Sequence, residues 1–182
     1  GLVVVGAKRP VALAAKAGRE AYERLLFALE TAEVDADWSA QAGAMRSGLL
    51  PVYERARRGS VIVWLSDFAD LPEDALRDAA AVASRGRRLY GVRVLSPMEA
   101  TLPFTEHARF EGLEGNASVE ADPDAVRTAY LARLTEQEAH YRAALVERGG
   151  GLVRARTDDD PVAVLDAFEP LVAGLPRHEG RA

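Results

Sequence analysis

The chain has 182 residues, 48% of them hydrophobic, with no cysteine and a net charge of −5 from 23 Lys+Arg against 28 Asp+Glu. That length and apolar share are enough for one compact domain with a sizeable core, while the missing cysteine excludes disulfides, thiol catalysis and thiolate metal sites and fits a reducing, cytoplasmic compartment. The acidic balance speaks against nucleic-acid binding, and no run approaches the roughly eighteen apolar residues of a membrane span.

Lysine occurs only at Lys8 and Lys16, and the arginines read as scattered along the chain, which argues against a polybasic membrane or RNA patch. The chain opens with Gly1-Leu2-Val3-Val4-Val5-Gly6, a strand pattern without leader or initiator Met, and reads as a fragment whose upstream part is absent. Residues 17–33 place Tyr22, Leu25, Leu26 and Leu29 on one helical face. A break at Val34–Ser39 is followed by a helical stretch to about Arg58, weakened by Gly43, Gly48 and Pro51 and stopped by Gly59. Ser60–Leu65 is a continuous apolar strand of the kind buried on both faces of a parallel sheet. Asp70, with Glu73 three residues on, predicts a capped helix to about Ser84, ended by Gly86.

Leu89–Leu95 reads as the next strand, and residues 96–107 as a loop containing Pro97 and Pro103. Ala108–Leu113 and Ala117–Ala121 flank Glu114-Gly115-Asn116, the pattern of a β-hairpin. A long helix over about 124–148 carries Val126, Tyr130, Leu134, Tyr141 and Leu145 on one face and ends at Gly149-Gly150-Gly151. Leu152–Arg156 is a last strand, Asp160-Pro161 opens a last helix to about Leu171, and residues 174–182 read as a loose tail. The order predicts an α/β domain over residues 1–173 with a mainly parallel sheet, helices on both faces and a hairpin insertion at about 108–121.

In such sheets ligands meet the carboxyl ends of the strands. Those ends are Gly6-Ala7-Lys8, Ser66-Asp67, Ser96-Pro97-Met98-Glu99 and Thr157-Asp158-Asp159-Asp160, three of them acidic. Ser66, Asp67, Glu99 and Asp158 are therefore the candidate binding edge, with Asp67 placed where a metal ligand or catalytic carboxylate belongs. The plainer reading has Ser66 and Asp67 satisfying loop amides, Glu99 bonding its own loop, and Asp158–Asp160 favouring a helix start. No P-loop or dinucleotide glycine motif occurs. His107 and His140 have no ligand-like spacing, no Ser/His/Asp arrangement converges, and the Asn116-Ala117-Ser118 sequon is incidental.

Arg57-Arg58-Gly59, Val61–Leu65 and Ser66-Asp67-Phe68 together resemble a segment of the bacterial domain-of-unknown-function family numbered fifty-eight, whose members contain a von Willebrand factor type A-like domain. Val92–Glu99 with Leu102-Pro103-Phe104 is similar to the family's next strand and its "DPxE…LP" stretch, with Ser96 in place of Asp. Leu113-Glu114-Gly115, Tyr130, and Thr157-Asp158 with Pro161 fit the remainder, and Gly1–Lys8 looks like the family's second strand.

The resemblance implies a Rossmann-like sheet with a metal-ion-dependent adhesion site at its carboxyl edge. Asp67 matches the Asp after the fourth strand, Ser39 is an imperfect match to the second-loop Thr, and the D-x-S-x-S of the first loop does not occur. Two oxygen ligands fall short of the near-octahedral shell of Mg²⁺, so a divalent cation is expected in the full domain and not in this segment. The missing strand is the expected centre of the sheet, so the strands at 2–5 and 60–65 are expected to pair directly, leave open edges, or self-associate. The implied function is a non-catalytic interaction module that docks a protein through the edge around Asp67, with a MoxR-type AAA+ ATPase as the partner class the resemblance implies. The alternative is a metal-assisted hydrolase or phosphoryl-transfer enzyme using Asp67 with Asp158 or Glu99.

Overall fold

The computed structural model describes residues 1–9, 11–33, 44–69, 71, 86–104, 108–111, 118–121 and 123–173. Ser39, the helix expected over 70–84, the hairpin turn at 114–116, His107 and the tail 174–182 lie outside them.

Three strands form a parallel sheet in the order β3 (Val61–Ser66), β4 (Arg88–Leu95), β7 (Gly151–Arg156). Parallel neighbours need long crossovers; the one from β4 to β7 contains helix α4 (Pro123–Val146). The register pairs Ile62 with Leu89 and Ser66 with Arg93, and on the other side Gly91 with Leu152 and Arg93 with Arg154. Leu89, Gly91 and Arg93 thus face one side of the central strand and Tyr90, Val92 and Val94 the other.

Helices cover both faces. On the first, Leu89, Tyr141, Leu145, Leu152 and Phe68 form the core, with Ile62, Trp64 and Ala144 packed against it. A Cβ on Gly91 would stand 2.6 Å from Leu152 Cδ1 and 3.2 Å from both Leu145 and Phe68, so only glycine lets β4 pass beneath those side chains. On the second face lies α5 (Pro161–Ala173), where Tyr90 meets Phe168 edge-on at 5.5 Å and donates its hydroxyl to Leu171 O at 2.9 Å. A parallel sheet flanked by helices is the layering expected of a Rossmann-like fold.

Four expectations change. The strand at 60–65 is not buried on both faces: Val61, Val63 and Leu65 are 40%, 41% and 67% exposed while Ile62 and Trp64 turn inward. Among the described residues β3 has a strand neighbour only in β4, and the alternation is that of a sheet edge with one face covered. The opening strand β1 (Leu2–Val4) pairs antiparallel with an unforeseen β2 (Val11–Leu13) as a separate ribbon rather than with β3. Helix α1 (Arg19–Glu30) leaves Tyr22, Leu26 and Leu29 exposed, so its apolar face is not part of the core. Residues 97–101 form a short helix, α3 (Pro97–Thr101), where a loop was expected. The remaining elements agree to within a few residues: α2 (Ala44–Arg55), the antiparallel pair β5 (Ala108–Glu111) and β6 (Ser118–Ala121), α4, β7 and α5.

Candidate functional site at the carboxyl edge of the sheet

Beyond the end of β3 the chain makes a sharp turn fixed by its own polar side chains. The Ser66 hydroxyl accepts from the Phe68 amide at 3.1 Å, and Asp67 Oδ1 accepts from the Ala69 amide at 3.1 Å. The plainer reading of the Ser66-Asp67 pair, that it satisfies loop amides, therefore holds in part. It leaves Asp67 exposed, with Oδ2 in no hydrogen bond among the described residues.

The backbone of the same turn carries the stronger signal. Phe68 has φ 56, in the left-handed region, although it is 3% exposed and not glycine. Such a conformation costs of order 1–3 kcal/mol and persists only where the surroundings impose it. They do so with three donors on three consecutive carbonyls. Arg93 Nε reaches Asp67 O at 3.0 Å, Tyr141 Oη reaches Phe68 O at 3.0 Å, and Gln137 Nε2 reaches Ala69 O at 2.8 Å. The Phe68 ring is wedged between Trp64 at 5.4 Å and Tyr141 at 5.5 Å.

Arg93 is the centre of this clamp. It is 1% exposed, and its other nitrogens donate to Leu134 O at 3.1 Å and to Gln137 Oε1 at 2.6 Å. Its hydrogen-bond partners are thus all uncharged, which is uncommon for a buried guanidinium. Beside it stands Tyr130, half-buried on α4. Burial pushes the Tyr130 hydroxyl above its usual range, Glu99 and Asp67 push it the same way, and the Arg93 charge opposes them. Asp67, Glu99, Arg93 and Tyr130 therefore share one electrostatic neighbourhood.

The other acids predicted for this edge are committed locally. Glu99 closes a capping box on α3: Ser96 N donates to its Oε2 at 2.7 Å while its own amide donates to Ser96 Oγ at 3.2 Å. Asp158 takes a bidentate pair from Arg156 at 2.8 and 2.6 Å, and that bonding holds its carboxyl below the usual range. Asp159 Oδ2 accepts from Arg156 N at 2.7 Å and Asp160 Oδ1 from Val162 N at 2.9 Å. Asp158 and Asp67 follow the two outer strands of the sheet; neighbouring strands lie roughly 4.8 Å apart, so about 10 Å of sheet separates them.

A divalent cation, the cofactor the family resemblance implies, fits this donor set poorly. Among the described residues no three Asp, Glu or His side chains group together. One oxygen of Asp67 already holds the Ala69 amide, well short of the several oxygens a hard cation requires. Surface depressions of about 420 and 210 Å³ lie elsewhere, beside β2 and α1, and Asp67 lines neither.

Arg93, Gln137 and Tyr141 were missed as site residues by the sequence reading. Tyr141 was read only as an apolar-face residue of its helix. The one available signal was an arginine inside the apolar run Leu89–Leu95, at the same register as Ser66.

A family model described as "Protein of unknown function DUF58" matches residues 1–140. The chain belongs to this family. No curated protein matches. Among solved structures, this DUF58 chain is similar to the conserved hypothetical protein BatB from Bacteroides thetaiotaomicron, at 15% identity and TM-score 0.42, over 84% of this chain and 68% of that one. It is also similar to an uncharacterized membrane spanning protein from Vibrio fischeri, at 15% identity and TM-score 0.33, over 75% of this chain and 57% of that one.

Proposed function

We propose that this DUF58 domain is a non-catalytic docking module that engages a protein partner through the carboxyl edge of its sheet, with the Asp67 carboxylate as the central contact. The observation that carries the reading is the turn at 66–69: an exposed carboxylate on a strained backbone, held by three side-chain donors from β4 and α4. A loop that only joined two elements would have no need of an imposed conformation, whereas a binding group gains from one, because pre-ordering removes part of the entropy cost of association. The von Willebrand A-like resemblance supports the same edge and suggests a MoxR-type AAA+ ATPase as the partner class.

The alternative, metal-assisted hydrolysis or phosphoryl transfer, has less support. Its second carboxylate would be Asp158 or Glu99, and these are held by Arg156 and by the α3 capping box. The side-chain group within hydrogen-bond reach of Asp67 among the described residues is the Ser66 hydroxyl, a long 3.4 Å from Oδ1 and already accepting from the Phe68 amide.

The test is binding to a purified MoxR-type ATPase, measured by biolayer interferometry. Asp67→Asn is expected to weaken binding at least about tenfold, while Arg133→Gln, on the exposed side of α4, leaves it unchanged. Equal binding by wild type and Asp67→Asn would sink the reading. Titration of Mg²⁺ into the chain is expected to give no saturable heat; tight binding abolished by Asp67→Asn would restore the metal-assisted alternative.

A further inference from the structure

The opposite end of the same sheet carries a second charged surface that this docking reading does not use. Arg55, Arg57 and Arg58 close helix α2 and precede β3, and Arg87 and Arg88 lead into β4. About thirty positions separate the two groups in the chain, and the fold interlocks them. Gly59 N donates to Gly86 O at 2.8 Å and Arg88 N to Ser60 O at 3.0 Å. Arg87 Nε reaches back to Ala56 O at 2.6 Å, and the Arg58 side chain lies over Gly86, 3.1 to 3.7 Å from where a Cβ would stand. Gly59 and Gly86 both have positive φ, 84 and 77, so the tips of the two turns are bare backbone between the guanidinium groups.

The arginines read as scattered in sequence are thus clustered in space. None of the five is ion-paired among the described residues, and the carboxylate nearest in sequence, Glu54, is exposed and equally without an ion pair there. Like charges brought together this way repel; the backbone bonds between the two turns and the bond from Arg87 Nε to Ala56 O join the two groups. In a chain of net charge −5 the result is a local positive field against a negative background. The guanidinium fork matches carboxylate oxygens two at a time.

We propose that this amino-terminal edge is a docking surface for a short acidic segment of a protein partner, whose carboxylates pair with Arg55, Arg57, Arg58 and Arg88 while its backbone passes over the Gly59–Gly86 saddle. The patch spans the ends of two adjacent strands, roughly 5 Å apart, which is a footprint of a few residues. A long polyanion or an anionic membrane would meet the acidic remainder of the molecule within about a Debye length of it. A short acidic peptide is small enough to stay over the arginines.

The probe is a fluorescein-labelled hexaglutamate peptide, followed by anisotropy on the whole chain. Saturable binding is expected at about 50 mM salt and a several-fold weaker affinity at about 200 mM. Arg57→Gln/Arg58→Gln is expected to lose at least about tenfold in affinity, and so is Arg55→Gln/Arg57→Gln, whose side chains make no hydrogen bond among the described residues. Arg24→Gln/Arg133→Gln, two exposed arginines elsewhere, should bind as wild type. Asp67→Asn should also bind as wild type, which separates this surface from the carboxyl edge. The proposal is overturned if the two edge variants bind hexaglutamate as well as the control. It is equally overturned if the edge arginines matter for vesicles of phosphatidylglycerol and phosphatidylcholine or for duplex DNA while hexaglutamate is not bound.

Discussion

The two ends of the parallel sheet treat charge in opposite ways. At the carboxyl end every acid is engaged by neighbours: Asp67 by the Ala69 amide, Glu99 by Ser96, Asp158 by Arg156. Arg93, buried there, holds two backbone carbonyls and the Gln137 side chain. At the amino end none of the five arginines is ion-paired with an acid among the described residues. The first arrangement uses charge to set a conformation and leaves one oxygen of the exposed Asp67 carboxylate without a hydrogen bond among the described residues; the second leaves its charge available. A parallel sheet, with every strand start on one side and every strand end on the other, separates the two roles by the length of a strand.

Substitutions at the carboxyl end should therefore cost stability, and those at the amino end should not. The largest effect is expected for Phe68→Ala, which removes a buried ring from the Trp64–Tyr141 stack and leaves a non-glycine residue at φ 56. The loss expected is about 4 kcal/mol, read from urea unfolding. Arg93→Ala follows at about 3 kcal/mol, because Asp67 O and Leu134 O lose their donor in a buried site. Tyr141→Phe keeps the ring and removes the bond to Phe68 O, and should cost about 1 kcal/mol. Arg57→Gln should lie within about 0.5 kcal/mol of wild type. A loss for Arg57→Gln matching that of Arg93→Ala would erase the contrast between the two ends.

A pH experiment sharpens it further. Burial alone would raise the Glu138 carboxyl, but hydrogen bonds from Arg154 at 2.8 Å and Arg142 at 3.0 Å outweigh it and hold the group below the usual carboxylate range. A depressed carboxylate contributes stability that is present above its unfolded pKa and lost as pH falls through the folded one. Thermal midpoints should fall below about pH 4.5 more steeply in wild type than in Glu138→Gln; parallel curves would mean that the link between α4 and β7 does not depend on this charge.

Much of the fold was legible in sequence. Leu89–Leu95 and Leu152–Arg156 are strands because their apolar runs suit a sheet covered by helices, and the helix beginning near 124 has its apolar residues at helical spacing. The failures share a cause. An apolar run states that a strand can be buried, not that something covers it, and Val61, Val63 and Leu65 are largely uncovered. Tyr22, Leu26 and Leu29 mislead in the same way. Helix α3 had a readable signal in Ser96-Pro97-Met98-Glu99, the capping box, but two prolines in twelve residues suggested a loop.

Asp67 at the end of a β-strand, and its acidic companions on the same edge, followed from sequence alone, because strand order and the rule for parallel sheets place them there. The clamp on its turn did not, since Arg93, Gln137 and Tyr141 lie 26 to 73 positions from the carbonyls they bind. Nor did the arginine cluster, whose halves meet through the Gly59–Gly86, Arg88–Ser60 and Arg87–Ala56 hydrogen bonds. Periodicity and capping are local properties that a chain carries wherever it goes. Which donor reaches which carbonyl, and which like charges are forced together, depends on the crossovers, and those exist only once the sheet has formed.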